Sequence, residues 1–165
     1  DTVRRLKNPW APRRESSDPR VLEDEVRAAL EAYGPQGDSC QAVLRHGDYW
    51  PGNVLWRSGE IVGVVDWEAA SIGDPLDDLS IARLDMLWVA GWEAMRALTS
   101  AYLESNPIDA RLLPYHDLVA ALRVGAFIDD IAGGYAEFGR DDITLETLLR
   151  DQNRFALHAL AEHGR

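Results

Sequence analysis

Apolar residues recur at two different periods along this chain. Leu22, Val26, Ala29, Leu30 and Tyr33 stand at helical spacing behind Ser17, Asp18 and Pro19, a capping residue followed by a proline suited to a first turn. Gly34 and Pro35 end that predicted helix. The middle of the chain changes to short apolar runs. Ala42 to Leu44 predicts a strand, and Val54 to Trp56, a turn at Ser58-Gly59 and Ile61 to Val65 together predict a β-hairpin.

Helical spacing returns at Asp74-Pro75, again a cap and a first-turn proline, with Leu76, Leu79, Ala82 and Met86 on one face. A second amphipathic helix is predicted from Trp92 through Met95, Leu98, Tyr102 and Leu103, stopping near Asn106-Pro107. A third, long one is predicted over about 114–138, with Leu118, Leu122, Gly125, Ile128 and Tyr135 among its apolar positions. Thr144 predicts the cap of a last helix carrying Leu145, Leu148, Leu149, Ala156 and Leu160. Ahead of all these, residues 1–16 hold prolines and Arg4, Arg5, Lys7, Arg13 and Arg14 without apolar periodicity, and are expected to form an extended arm or linker remnant. The expected fold is mainly α with a small β-hairpin, an α+β domain over 17–165.

Composition narrows the function classes. At 165 residues the chain suits one domain with a real core, and it has no apolar run long enough to span a membrane. The net charge of -11 at pH 7 and the scattered basic residues argue against a nucleic-acid partner. A single cysteine, Cys40, excludes an internal disulfide and fits a reducing, cytoplasmic setting. His116, His158 and His163 show no metal-ligand spacing with one another or with Cys40.

The chemistry is concentrated between Arg45 and Ser80. His46-Gly47-Asp48 is followed five residues later by Asn53, and the second hairpin strand runs into Val64-Val65-Asp66-Trp67-Glu68. Asp48 and Asn53 enter the first strand of the hairpin and Asp66 leaves the second, so antiparallel pairing returns Asp66 toward Asn53. Taken singly, each has an ordinary structural reading: a loop aspartate capping its own backbone, a strand-edge asparagine, a turn aspartate. Together, with Gly73-Asp74-Pro75-Leu76-Asp77-Asp78-Leu79-Ser80 behind them, they form a specific pattern.

That pattern resembles the catalytic and metal-binding segments of the aminoglycoside phosphotransferase family, which shares the protein-kinase-like fold. The resemblance implies transfer of the γ-phosphate of ATP, or GTP, to a hydroxyl of a small molecule in a Mg²⁺-dependent reaction. It implies Asp48 as the catalytic base, Asn53 and Asp66 as magnesium ligands, and supporting roles for His46, beneath the metal-binding segment, and Asp78, bracing the catalytic loop. On its own, Asp78 reads equally as a first-turn carboxylate favoured by the helix dipole. For the acceptor, Trp50 lies inside the catalytic loop, and Asp129 and Asp130 interrupt the apolar segment 124–132. Aminoglycosides are the favoured acceptor and are polycations, which an acidic surface attracts, although by itself the acidic balance reads as a means of staying soluble; choline, homoserine and macrolide kinases are the alternatives under the same resemblance.

The family's strand lysine and glycine-rich phosphate loop have no counterpart before Arg45, where the lone lysine, Lys7, sits among prolines. The resemblance is therefore expected to cover the C-terminal lobe only, without the N-terminal nucleotide-binding lobe. The rival expectation is a non-catalytic, truncated kinase-like domain, and the isolated 165 residues are expected to show negligible kinase activity. A surface left by a missing lobe is expected to favour self-association.

Overall fold

The computed structural model describes residues 17–33 and 42–163. They fall into two compact units, one made of the N-terminal helix with the chain from residue 114 onward, the other of the chain up to residue 113 in between. The predicted arm at 1–16, the Gly34-Pro35 helix end, Lys7 and Cys40 lie outside the described residues.

Among the described residues, the intervening unit carries all the strands. β1 (Val43–Arg45) pairs antiparallel with β4 (Ser71–Gly73), and β2 (Val54–Arg57) pairs antiparallel with β3 (Glu60–Val64). The hairpin of β2 and β3 turns at Ser58-Gly59, with a register irregularity after Leu55 that leaves Val62 as an extra residue. β4 is a departure from the sequence reading, which left β1 without a partner. Three residues ending in glycine are too short to show a period, so only the return of the chain to β1 reveals the strand. Leu44 and Ile72, opposite each other across this pair, are both strongly exposed, as are Trp56, Ile61 and Val62 on the hairpin.

α2 (Leu76–Ser105) opens immediately after β4, where the Asp74 carboxylate accepts the Leu76 N–H at 2.9 Å. Inside it Gly91 has φ 82° and ψ -179°, a conformation nearly confined to glycine, so α2 is two helical arms as the hydrophobic pattern predicts. Arg83 on the first arm donates to Thr99 Oγ1 on the second at 2.6 Å. Leu76, Leu79 and Leu113 form a buried cluster with Tyr102, Leu103, Ile108 and Leu112 packed on it. Leu76 is fully buried, and burying such a side chain contributes about 1.5–3 kcal/mol. The first turn of α2 is thus fixed by its own core as well as by its cap.

The other unit contains α1 (Glu23–Tyr33), α3 (Leu113–Gly125), α4 (Ile128–Glu137) and α5 (Leu145–His163). Asp18 does cap a turn, accepting the Arg20 N–H at 2.9 Å, but the turn is a 3-10 turn, Pro19–Val21, separated from α1 by Leu22 in a left-handed conformation. Thr144 and Thr147 cap α5 reciprocally, each side-chain oxygen accepting the other's N–H. Val26, Leu118, Ile128, Leu148, Phe155 and Ala156 are buried here. The single long helix expected over about 114–138 is corrected to α3 and α4. Phe127 leaves helical geometry at φ -122°, ψ 15°, and apolar spacing continues across the break, so periodicity cannot register it. The fold class is mainly α with small β elements, and among the described residues no helix is long and apolar enough to cross a membrane.

Candidate phosphotransfer site

β1 delivers the chain into the loop that carries His46, Gly47 and Asp48, and β4, lying beside it, delivers the start of α2. Asp78, on the first turn of α2, accepts the His46 N–H at 2.6 Å with one carboxylate oxygen and the Gly47 N–H at 2.8 Å with the other. Charge-assisted bonds of this kind are stronger than neutral ones. Two successive backbone donors immediately before Asp48 are therefore held by one carboxylate.

His46 is buried and uses both ring nitrogens. Nδ1 faces the Asp48 N–H at 3.3 Å, and Nε2 lies 2.8 Å from the Val65 carbonyl oxygen. A carbonyl only accepts and an N–H only donates, so this arrangement requires the neutral tautomer with its proton on Nε2. The Trp67 ring packs against the imidazole with centroids 4.6 Å apart. His46 thereby joins the loop before Asp48 to the segment on either side of Asp66. Both of its ring nitrogens are engaged by backbone groups.

Gly47 makes the same junction through the backbone. It has φ +86°, and a β-carbon there would lie 2.3 Å from the Ala69 carbonyl oxygen. Only glycine allows the two segments to approach this closely.

Asn53 closes the constellation. It ends a 3-10 turn, Pro51–Asn53, whose first residue is preset by proline, and it is buried. Its Nδ2 donates to the Asp48 carbonyl oxygen at 2.9 Å and approaches the Asp48 carboxylate at 3.4 Å. Its own carbonyl accepts the Val65 N–H at 2.9 Å, continuing the hairpin ladder one step beyond Val54 and Val64. That step puts Val65 opposite Asn53, with Asp66 the next residue along the chain. Asp66 has φ 64°, a left-handed conformation that aspartate tolerates better than most residues, and it is exposed.

Asp48, Asn53, His46 and Asp78 are thus brought together, with Asp66 joined to them through Val65. Trp50 is half-buried at the start of the same 3-10 turn, and its ring lies where a side chain at Gly52 would stand. Asp129 and Asp130 belong to the other unit. Both are exposed in the first turn of α4, where the helix dipole favours carboxylates, and Asp129 pairs with Arg20 at 2.7 Å. Arg20 is held well above the usual guanidinium range by the hydrogen bonds it donates to the Asp129 and Asp18 carboxylates. These contacts account locally for Asp129.

Among the described residues no group of three or more His, Cys, Asp or Glu side chains is arranged to hold a metal ion. The donors at the site suit a different arrangement. Asn53 commits its NH₂ to Asp48, so its amide oxygen is the group left for a cation, and Asp66 supplies a carboxylate. Two hard oxygen ligands are what a protein commonly offers Mg²⁺, the rest of the coordination shell coming from phosphates and water. These residues fit that ion.

Four residues to which the sequence reading gave no role, Arg45, Ala69, Ser71 and Asp77, adjoin the site. Arg45 pairs with Asp77 and donates to Ser71 Oγ at 2.9 Å, and Ala69 sets the clearance above Gly47. A glycine inside His-Gly-Asp was the one available hint of the last; for Arg45 and Asp77 there was none without the β1–β4 pairing. A family model described as the phosphotransferase enzyme family matches residues 2–143, while no curated protein and no solved structure matches the chain. That match spans most of the sequence and contains the whole constellation around Asp48, and the chain belongs to the phosphotransferase enzyme family.

Proposed function

We propose that the chain carries the catalytic loop and metal-binding segment of a kinase-like phosphotransferase, corresponding to the C-terminal lobe of the protein-kinase-like fold. It serves transfer of the γ-phosphate of ATP, or GTP, to a hydroxyl of a small, aminoglycoside-like acceptor in the cytoplasm. The observation that carries this reading is Asn53, whose side chain holds Asp48 while its carbonyl holds Val65 beside Asp66. One short segment thus ties together a base and a pair of hard oxygen donors.

In this reading Asp48 accepts or orients the proton of the acceptor hydroxyl, and the hydrogen bond from Asn53 keeps its carboxylate in place. Asn53 and Asp66 would hold Mg²⁺, which when bound neutralises charge on the phosphates. His46 and Asp78 keep the loop rigid, so that Asp48 need not be reordered as the reaction proceeds. Trp50, at the start of the 3-10 turn that ends in Asn53, would contact the acceptor.

The test is a calorimetric titration of the 165-residue chain with ATP and Mg²⁺, run beside Asp66→Ala. Saturable binding that disappears in the variant supports a metal-nucleotide site at these residues. Binding of equal strength in both proteins, or in neither, rejects it for this chain.

A further inference from the structure

We propose that the Arg45–Asp77 ion pair is a positioning device for the loop bearing Asp48, locking β1 to the first turn of α2 so that Asp78 can hold the two amides before Asp48. Its functional consequence rests on the phosphotransferase reading above; its geometry does not. Three consecutive residues, Arg45, His46 and Gly47, are gripped by two consecutive residues of α2. Asp77 takes the Arg45 guanidinium, and Asp78 takes the His46 and Gly47 N–H groups.

The seat of the guanidinium is shaped for it. Arg45 Nη2 donates to Oγ of Ser71, its cross-strand partner, at 2.9 Å. A β-carbon at Gly73 would stand 2.6 Å from Arg45 Cζ and Nε, so the planar group lies directly over backbone that has no side chain. Both members of the pair are largely shielded, with side-chain exposures of 22% and 30%. Arg45 also offsets one of two adjacent carboxylates, relieving their mutual repulsion where Asp78 must stay fixed. The planar fork reaches Asp77 and Ser71 together, which an ammonium group cannot do as well.

Backbone amide hydrogen exchange, followed by NMR without nucleotide, tests the device in the full chain. In Arg45→Met and in Asp77→Asn, exchange at the His46 and Gly47 amides is expected to quicken about fivefold, while amides of the β2–β3 hairpin and the second arm of α2 keep their rates. Relative to Arg45→Met, Arg45→Lys restores part of the protection, because the charge remains although the fork that also reaches Ser71 is lost. Unchanged protection at His46 and Gly47 in both variants overturns the proposal. So does a loss spread evenly through the unit, or a loss that Arg45→Lys fails to relieve, since either describes general destabilisation. Exchange is read without ATP, so the outcome is independent of whether the chain binds Mg²⁺ and nucleotide.

Discussion

Gly47 and Ala69 approach so closely that a β-carbon on Gly47 would lie 2.3 Å from the Ala69 carbonyl oxygen, and Gly47 is left-handed besides. The loop before Asp48 and the segment after Asp66 therefore meet backbone to backbone. Gly47→Ala adds a left-handed conformational penalty to a clash with groups that cannot rotate away. It is expected to destabilise the chain by roughly 3 kcal/mol, read from urea unfolding.

Gly91→Ala separates those two effects. A β-carbon at Gly91 meets nothing within 4 Å, yet φ 82° and ψ -179° remain unfavourable for alanine. The expected cost is about 1–3 kcal/mol, from backbone strain alone. Urea unfolding should rank Gly47→Ala as the more damaging of the two.

Removing the Asp78 carboxylate leaves the His46 and Gly47 amides without their acceptor. Asp78→Ala is expected to cost roughly 2–4 kcal/mol. Asp130→Ala, at an exposed position, should stay within about 0.5 kcal/mol of the parent. Equal unfolding midpoints for the two variants would contradict the bracing role of Asp78.

Base and metal ligands separate in binding. Asp48→Asn keeps a side chain of the same shape beside Asn53, and in the proposed site Asp48 holds no metal. Calorimetry is expected to find Mg²⁺-dependent ATP binding in Asp48→Asn at near-parent affinity and its loss in Asn53→Ala. Loss in Asp48→Asn with retention in Asn53→Ala would reverse the two assignments.

In the other unit, burial raises the Tyr33 hydroxyl above its ordinary value, with Asp117 and Glu162 adding to the shift. The unfolded chain then ionises first. The stability that Tyr33 contributes is complete below about pH 10 and is lost as pH rises through the higher folded value. Tyr33→Phe removes this dependence, so its urea midpoint should fall less than the parent's between about pH 9 and pH 11. Parallel curves would show that Tyr33 ionises alike in both states.

Local rules carried much of the fold. Caps at Asp74 and Thr144, the glycine that parts the arms of α2, and the short apolar strands around Ser58-Gly59 all act within a few residues, so their signals lie in neighbouring positions. The convergence of Asn53 on the segment before Asp66 was legible for the same reason, because a tight hairpin admits few registers. Where apolar spacing ran on unbroken, as through Phe127, the same rules predicted one helix in place of α3 and α4.

By itself, then, the sequence determined the family and most of the stretches that become helix or hairpin, since motif spacing, caps and turn residues work over short range. Tertiary structure alone decided the pairing of β1 with β4, the grip of Asp77 on Arg45, and the contact of Gly47 with Ala69. Each of these joins residues more than twenty positions apart. No periodicity records such a pairing; it is chosen when burial of Leu76 and Leu79 places the first turn of α2, and the polar partners follow from where that turn comes to rest.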